Sequence, residues 1–315
     1  MLQWLETTLG GVPDLVETLR PEASYREFYR VHLGSSRQVA MFAPPEKEDP
    51  ERFVRLARLF RDAGVPAPAI HGSDISRGFV LMEDFGPRHF LDLYQSGNAH
   101  EALDRGISML HVMQRMEPDL VPPYTATRLG DELDIFRIWL IESLLQMNVP
   151  AYWPEVCAQL VEDLGAQPVG VVHRDYHCKN LLMTDAGGLG IVDFQDALAG
   201  PVLYDVASLL RDCYWRFDEP TIHRWLTRYV EASGWHFDDP WNQFNRTALQ
   251  RQLKAVGIFS RLHLRDRKSS HLKYIVPVLD HAAFLAREST SHTGLADWLD
   301  SVQVAARGKL KTKTE

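Results

Sequence analysis

Cysteine is scarce in this sequence, which holds only Cys157, Cys178 and Cys213 among its 315 residues. They are scattered and odd in number, so they form neither a disulfide framework nor a zinc-ligand spacing. No apolar run approaches the about 20 residues needed to cross a bilayer, and residues 1–10 lack the basic region of a signal peptide. These absences exclude a disulfide-stabilised secreted module and a membrane partner, and they predict a cytoplasmic protein.

An excess of positive charge is also missing. The chain has 34 Lys and Arg against 42 Asp and Glu, which gives a formal net charge of −8. Proteins that bind nucleic acids in general carry a basic surface, so we expect no nucleic-acid partner. Hydrophobic residues make up 45% of the chain, which is enough for a full core.

Two polar runs are the most informative feature that is present: His173–Asn180 and Ile191–Asp196. Asn180 follows Asp175 by five positions, and Asp193 follows it by eighteen. This spacing is typical of phosphoryl transfer from ATP, in which the first Asp accepts the proton of the acceptor hydroxyl. The Asn and the second Asp hold the Mg²⁺ that bridges the phosphates. Both offer the oxygen ligands that Mg²⁺ prefers.

The apolar residues around these runs predict how the polar ones are held. Val169–Val172 is typical of a short buried strand, and residues 181–183 and 189–192 predict a hairpin with a turn at 185–188. The candidate ligands would therefore lie in loops at the ends of strands. If Asp175 and Asn180 only capped turns, the position of Asp193 would stay unexplained.

The character of the sequence changes near residue 86. Residues 1–86 show strand patterns with helical spacing at 2–9 and 50–63, whereas 87–307 are mainly helical around one small β region. The helical periodicity of this second part covers 99–116, 131–147, 153–164, 204–214, 219–233, 242–263 and 274–287, and 308–315 predict a disordered tail. We therefore predict an α+β fold with a small β-rich N-terminal lobe, a hinge at its end, and a larger helical C-terminal lobe.

The chain resembles the small-molecule kinases of the aminoglycoside phosphotransferase type, which share the protein-kinase fold. Within them it looks most like the bacterial anomeric kinases for N-acetylmuramate and N-acetylglucosamine, which act in peptidoglycan recycling. The segments that carry this resemblance are 43–49, Leu81–Gly86, Phe136–Trp139 and Val172–Tyr214.

The resemblance implies a role for several residues, with ATP and Mg²⁺ as cofactors. Asp175 would be the catalytic base, and Asn180 and Asp193 would bind Mg²⁺. Glu83 and Phe85 would present backbone groups to adenine.

Further residues of the implied site have less specific roles. Ser24, Tyr25 and Arg26 would form the loop over the phosphates. Asp205 would tie the metal loop to the next helix, although an ordinary acid at a helix N-terminus explains it equally well. His173 is interpreted as structural.

The sequence departs from the kinase pattern at the phosphate end. Kinases of this fold carry a lysine on the third strand that pairs with the phosphates, but the matching stretch 38–42 has none, and residues 21–26 contain no glycine. We hypothesise that Arg26, Arg30 or Lys47 supplies the missing charge. Each of them also fits an ordinary surface cation, and Mg²⁺ with backbone amides is a further alternative.

The acceptor is predicted to be a small molecule. Protein kinases have an activation segment that ends in Ala-Pro-Glu, but here Asp205 follows Asp193 by only twelve residues and no such signature follows. His177, Arg211 and Trp139 are the candidate acceptor contacts. Arg211 would bind a carboxylate or form an intrahelical ion pair, and Trp139 would stack on a sugar or pack in the core.

The motif spacing predicts an ATP- and Mg²⁺-dependent small-molecule kinase, with a monomer favoured. The resemblance implies that its acceptor is the anomeric hydroxyl of N-acetylmuramate or N-acetylglucosamine. One alternative is a kinase of an aminoglycoside, a choline-like or another amino-alcohol acceptor. The other is a pseudokinase scaffold, motivated by the missing lysine and glycines.

Overall fold

A computed structural model describes residues 1–19, 25–289 and 292–311 of the chain. It divides into two compact units. The first comprises Met1–Met113 with Cys178–Asp196, and the second comprises Gln114–His177 with Ala197–Glu315.

The first unit is larger than the predicted lobe that ended at residue 86, because later segments bond to it. Arg105 donates a hydrogen bond of 2.8 Å to the carbonyl of Gly187, and the Met183 N–H donates to the carbonyl of Arg88. The predicted hairpin and the helix that carries Arg105 therefore belong with the N-terminal sheet.

Strands and helices account for most of the described residues. The strands are β1 (Leu15–Leu19), β2 (Glu27–Leu33), β3 (Ser36–Phe42), β4 (Ile70–Asp74), β5 (Phe79–Glu83), β6 (Val169–Val172), β7 (Leu181–Met183), β8 (Leu189–Ile191) and β9 (Leu198–Pro201). The helices are α1 (Leu2–Leu9), α2 (Pro50–Asp62), α3 (Phe90–Gln95), α4 (Ala99–Gln114), α5 (Ala126–Ile135), α6 (Trp153–Gly165), α7 (Leu203–Leu210), α8 (Glu219–Ser233), α9 (Pro240–Leu264), α10 (Leu272–Ser289) and α11 (Leu295–Lys311), with a π-helix at Phe136–Leu145.

The first unit is built on an antiparallel sheet of five strands in the order β1-β2-β3-β5-β4. Helix α2 begins where the Asp49 carboxylate accepts a hydrogen bond of 2.9 Å from the Arg52 N–H, and Pro50 occupies its first turn. Its apolar positions Phe53 and Phe60 recur at helical spacing and are buried. The hairpin β7–β8 completes this unit.

The second unit is helical apart from the antiparallel pair β6–β9. Helix α9, with 25 residues, is its central element, and most of its side chains are buried. A Cβ at Gly257 would lie 2.6 Å from the backbone nitrogen of Phe136, so only glycine allows α9 to approach the π-helix this closely. None of the helices among the described residues is both long and apolar enough to span a membrane.

Several predicted boundaries need correction. The single helix predicted over 131–147 is divided into α5 and the π-helix. Residues 308–311 lie in helix α11, so the prediction of a disordered tail from 308 is wrong there, while 312–315 lie outside the described residues.

Candidate active site

The candidate catalytic loop of the second unit, residues 173–177, follows strand β6 and is held by Asp205. The fully buried Asp205 carboxylate, in the first turn of α7, accepts hydrogen bonds from the backbone N–H of His173 (2.6 Å) and of Arg174 (2.9 Å). The resemblance implied a tie to the metal loop, whereas these bonds hold the residues just before Asp175. Burial raises the pKa of Asp205, although the hydrogen bonds from these N–H groups oppose that shift.

Arg174 has an unusual backbone for a residue with a side chain. Its φ of +77° lies in the left-handed region, which costs about 1–2 kcal/mol without glycine. The bonds to Asp205 fix this conformation from the backbone side. Contacts of the Arg174 side chain hold the residue in place as well.

Glu132 on α5 is the partner of the Arg174 side chain. Their ion pair is buried, and the Lys254 ammonium on α9 lies 3.0 Å from the same carboxylate. The hydroxyl of Tyr124 and the amide of Gln250 also donate to Glu132. Burial alone would raise the pKa of Glu132, but Lys254 and Arg174 hold it below its usual value. The carboxylate is therefore ionised and fully paired.

The sequence contained one signal for Glu132 that the motif analysis missed. The residue falls among the apolar positions Leu129, Leu133 and Phe136, which are all buried. A charge in the apolar stripe of a helix indicates a buried partner, because an unpaired buried charge is too costly.

Asp175 lies in a strongly positive environment. Burial would raise the pKa of its carboxyl, but Lys254, then His177 and Arg251, together with Arg174, hold it well below the usual value. The Asp175 N–H donates to Nδ1 of His173 over 3.3 Å, which supports the interpretation of His173 as structural. The candidate base is thus ionised at neutral pH and ready to accept a proton.

The candidate acceptor residues of the second unit lie in different surroundings. The His177 ring packs edge-on against Tyr214, with 5.1 Å between centroids, and Trp139 is half-buried on the π-helix. Arg211 has a fully buried side chain that pairs with Glu219 on α8 and donates to Asn245 over 2.9 Å. This corrects the expectation that Arg211 binds a substrate carboxylate, because the interior of its own unit already engages its guanidinium. The ion pair joins two helices and is not intrahelical.

The candidate metal ligands Asn180 and Asp193 lie at the open end of the hairpin β7–β8 in the first unit. The Val192 N–H donates to the carbonyl of Asn180 over 3.0 Å, which brings the two ligands to the same end. Asp193 has a φ of +64°, and the Phe194 ring after it packs on Phe53 of α2 with centroids 4.9 Å apart. The buried ring anchors the loop while the Asp193 side chain stays 43% exposed.

The donor chemistry of this hairpin fits Mg²⁺. An amide oxygen and a carboxylate are hard ligands, and Mg²⁺ is usually held by one or two carboxylates with substrate phosphates. The described residues contain no cluster of three or more His, Cys, Asp or Glu side chains suited to a metal. The Asn and Asp pair would need phosphate oxygens and water to complete the octahedral shell of Mg²⁺.

The candidate adenine residues follow strand β5. The backbone N–H of Glu83 donates to the carbonyl of Ala69 over 2.9 Å, and its carboxylate pairs with Arg61. The buried Phe85 ring covers Gly190, where a Cβ would lie 2.4 Å from the ring. The hairpin therefore needs glycine at this position.

Asp84, between these two residues, was missed by the motif analysis. Its buried carboxylate pairs with Arg30 on β2 (2.6 Å) and Arg37 on β3 (2.7 Å). Burial would raise the pKa of Asp84, but its bond with Arg30 holds it below the usual value. Arg30 therefore serves to fix the segment after β5.

The three candidates for the phosphate loop differ in what the structure describes. Ser24 lies outside the described residues. The Tyr25 N–H donates to Glu48 over 3.1 Å. Arg26 reaches both Glu48 and Asp193, as shown by nitrogen–oxygen distances of 3.6 and 3.2 Å.

Comparison with known proteins decides the family. The model of the phosphotransferase enzyme family matches residues 16–243. The chain belongs to this phosphotransferase family. It is 35% identical over 263 residues to an N-acetylmuramate/N-acetylglucosamine kinase of Pseudomonas aeruginosa, covering 80% of this chain and 78% of the relative. It is 32% identical over 310 residues to a protein of the same name from Neisseria meningitidis, covering 93% and 91%.

A solved structure confirms the predicted fold class of this phosphotransferase. An aminoglycoside phosphotransferase in complex with ADP and hygromycin B superimposes with a TM-score of 0.66 at 14% identity, covering 92% of this chain and 99% of that one. The α+β, protein-kinase-like fold predicted from the sequence is thereby confirmed, and so is the prediction of an enzyme that transfers phosphoryl groups.

Proposed function

We propose that this phosphotransferase transfers the γ-phosphoryl group of ATP to the C1 hydroxyl of N-acetylmuramate or N-acetylglucosamine. The observation that carries the proposal is the identity of 35% and 32%, over most of the chain, to two kinases named for these amino sugars. The bond between the γ-phosphorus and the β-phosphate oxygen breaks, so the products would be an amino-sugar 1-phosphate and ADP.

The second unit supplies the base in this proposal. Asp175 accepts a hydrogen bond from the acceptor hydroxyl and takes its proton late, as the oxygen bonds to phosphorus. Its carboxyl is ionised because Lys254 and Arg251 face it with positive charge. An anomeric hydroxyl is more acidic than an ordinary alcohol, so a carboxylate is a sufficient base.

The first unit supplies the ligands of the nucleotide and its metal. Asn180 and Asp193 would hold Mg²⁺, which when bound neutralises charge on the β- and γ-phosphates. Glu83 and Phe85 would contact adenine through backbone groups. Catalysis then rests on orientation and charge neutralisation.

An acceptor screen tests the proposal. The protein is incubated with ATP and Mg²⁺ and with a panel of N-acetylmuramate, N-acetylglucosamine, simple sugars, aminoglycosides, choline and ethanolamine. Phosphorus NMR should show a sugar 1-phosphate with the two N-acetylated sugars. Phosphate on another sugar hydroxyl, or transfer only to an aminoglycoside, choline or ethanolamine, would contradict the assignment. The Asp175→Asn variant serves as the control for contaminating kinases.

A further inference from the structure

The kinase pattern includes a lysine on the third strand that β3 of this chain lacks. In protein kinases, a lysine of the third strand pairs with a glutamate of the following helix and with the nucleotide phosphates. Strand β3 here reads Ser-Arg-Gln-Val-Ala-Met-Phe, and its only cation, Arg37, pairs with Asp84 and Asp185. A cation that takes the place of this lysine in the proposed function would therefore come from another element of the first unit.

We propose that Arg26 and Glu48 replace the lysine–glutamate pair, with the Arg26 guanidinium binding the β- and γ-phosphates of ATP. The inference rests on the proposed function for its choice of nucleotide. The cation would then lie just before β2 instead of on β3. Its acidic partner would lie in the turn just before α2 instead of in the helix.

The contacts of Arg26 match those of the missing lysine. One terminal nitrogen lies 3.2 Å from the carboxylate of Asp193, the candidate metal ligand. The Nε atom lies 3.6 Å from Glu48, and the side chain is only 11% exposed. A cation that touches both the metal carboxylate and a partner acid is placed where a metal-bound nucleotide would bring its terminal phosphates.

Glu48 holds the segment as well as the side chain. One of its carboxylate oxygens accepts the Tyr25 N–H over 3.1 Å, and the other faces Arg26. It directly precedes Asp49, which caps the buried helix α2. Because α2 is packed in the core of the unit, the position of Glu48 is fixed, and its contacts hold residues 25 and 26 in place.

A cleft opens beside this pair. It has a volume of about 170 Å³, and its lining is mostly polar. The polar residues that line it are Arg26, Glu48, Asp49, Arg52, Gln195 and Asp196. The lining holds two arginines and three carboxylates, so a phosphate would enter it together with its Mg²⁺. Gln195 also bonds Asp193 over 2.9 Å, which links the cleft to the candidate metal ligand.

The two other cations considered from the sequence have different surroundings. Arg30 holds the buried carboxylate of Asp84 in a two-pronged bond. The Lys47 ammonium lies over the Tyr25 ring, 4.7 Å from its centre. Neither contact reaches Asp193, so Arg26 is the candidate that the geometry favours.

Nucleotide binding measured without an acceptor tests the assignment. ATP, ADP and AMP are titrated calorimetrically with Mg²⁺ into the wild type, Arg26→Ala and Arg26→Lys. We expect Arg26→Ala to lose about 10- to 100-fold in ATP affinity, less in ADP affinity and less than about 2-fold in AMP affinity. Arg26→Lys should recover part of the affinity, because lysine keeps the positive charge but cannot donate two parallel hydrogen bonds to one phosphate as the planar guanidinium does.

Matched controls identify the residue responsible. Arg58→Ala removes an exposed arginine of α2, and we expect ATP binding to stay within about 2-fold of the wild type, as also for Lys47→Ala. If Lys47→Ala shows the selective ATP loss instead, or if Arg26→Ala weakens ATP and AMP equally, the assignment of Arg26 is overturned.

A double-mutant cycle tests the role of Glu48. Glu48→Gln should weaken ATP binding in the wild-type background but not in the Arg26→Ala background, because its effect passes through Arg26. Equal losses in both backgrounds would overturn the pairing. All these measurements omit the acceptor, so a wrong acceptor in the proposed function leaves their outcome unchanged.

Discussion

The two regions that carry the candidate chemistry handle charge in opposite ways. In the second unit, Glu132, Arg174 and Lys254 form a network in which every side chain is less than a tenth exposed. In the first unit, the side chains of Asp193 and Glu48 around Arg26 are 43% and 20% exposed. Buried charges are costly to separate, whereas exposed pairs contribute little. The candidate base is therefore held rigidly, whereas the charges proposed to bind phosphate can exchange partners for a ligand.

The largest effect is expected at the base. Asp175→Asn should lower kcat by at least about a thousandfold, because the amide cannot accept the proton. Mg²⁺-ATP binding by calorimetry should stay close to that of the wild type, because the nucleotide ligands lie on other residues. Loss of ATP binding in this variant, with the fold intact by circular dichroism, would mean that Asp175 takes part in binding the nucleotide.

The next largest effect concerns stability. Glu132→Ala leaves Arg174 and Lys254 buried without their carboxylate and should lower the free energy of unfolding by about 3–5 kcal/mol. Urea unfolding measures it. Glu155→Ala, which removes an exposed glutamate of α6, is the matched control and should change stability by less than about 1 kcal/mol. Equal losses in the two variants would remove the distinction between buried and exposed charge.

A third prediction concerns pH. Lys254 lowers the pKa of Asp175, so Lys254→Met should raise it toward the ordinary carboxyl value. The activity that depends on ionised Asp175 is lost as pH falls through its pKa. The acid limb of the kcat/KM profile should therefore move to higher pH, while the rate near neutral pH changes less. Lys309→Met, at an exposed lysine of α11, should leave the limb in place, and an unmoved limb in Lys254→Met would argue against its electrostatic role.

The smallest effect is expected for Arg26. Arg26→Ala should change the free energy of unfolding by less than about 1 kcal/mol, since its ion pairs lie with partly exposed carboxylates. Thermal unfolding without nucleotide provides the measurement. A loss comparable to that of Glu132→Ala would show that the phosphate end is as rigid as the catalytic loop.

Local sequence patterns were sufficient to predict many of the helices and strands. Helix α8 and strand β6 have the predicted bounds, and β7 and β8 form the predicted hairpin. In each of them, apolar spacing and turn residues lie within one short segment. Helix α11 was missed although Leu295, Leu299 and Val302 are buried at helical spacing.

The contacts of the site could not be predicted in the same way. The motif spacing predicts roles for Asp175, Asn180 and Asp193, but the buried residues Glu132 and Lys254 lie far from the motif in sequence. Their pairing depends on α5 and α9 packing side by side, which no local pattern encodes. The placement of Arg26 beside Asp193 is also a tertiary contact, and the sequence left it as one of three cations.

The left-handed backbone at Arg174 and its pairing with Glu132 have a consequence for regulation. Kinases that wait for activation order a segment by pairing an arginine with a phosphate that another enzyme attaches. Here the negative charge that pairs with Arg174 is the buried carboxylate of Glu132, which is part of the chain itself. We therefore expect the candidate catalytic loop to assemble without phosphorylation, and the turnover of this phosphotransferase to follow the supply of its substrates.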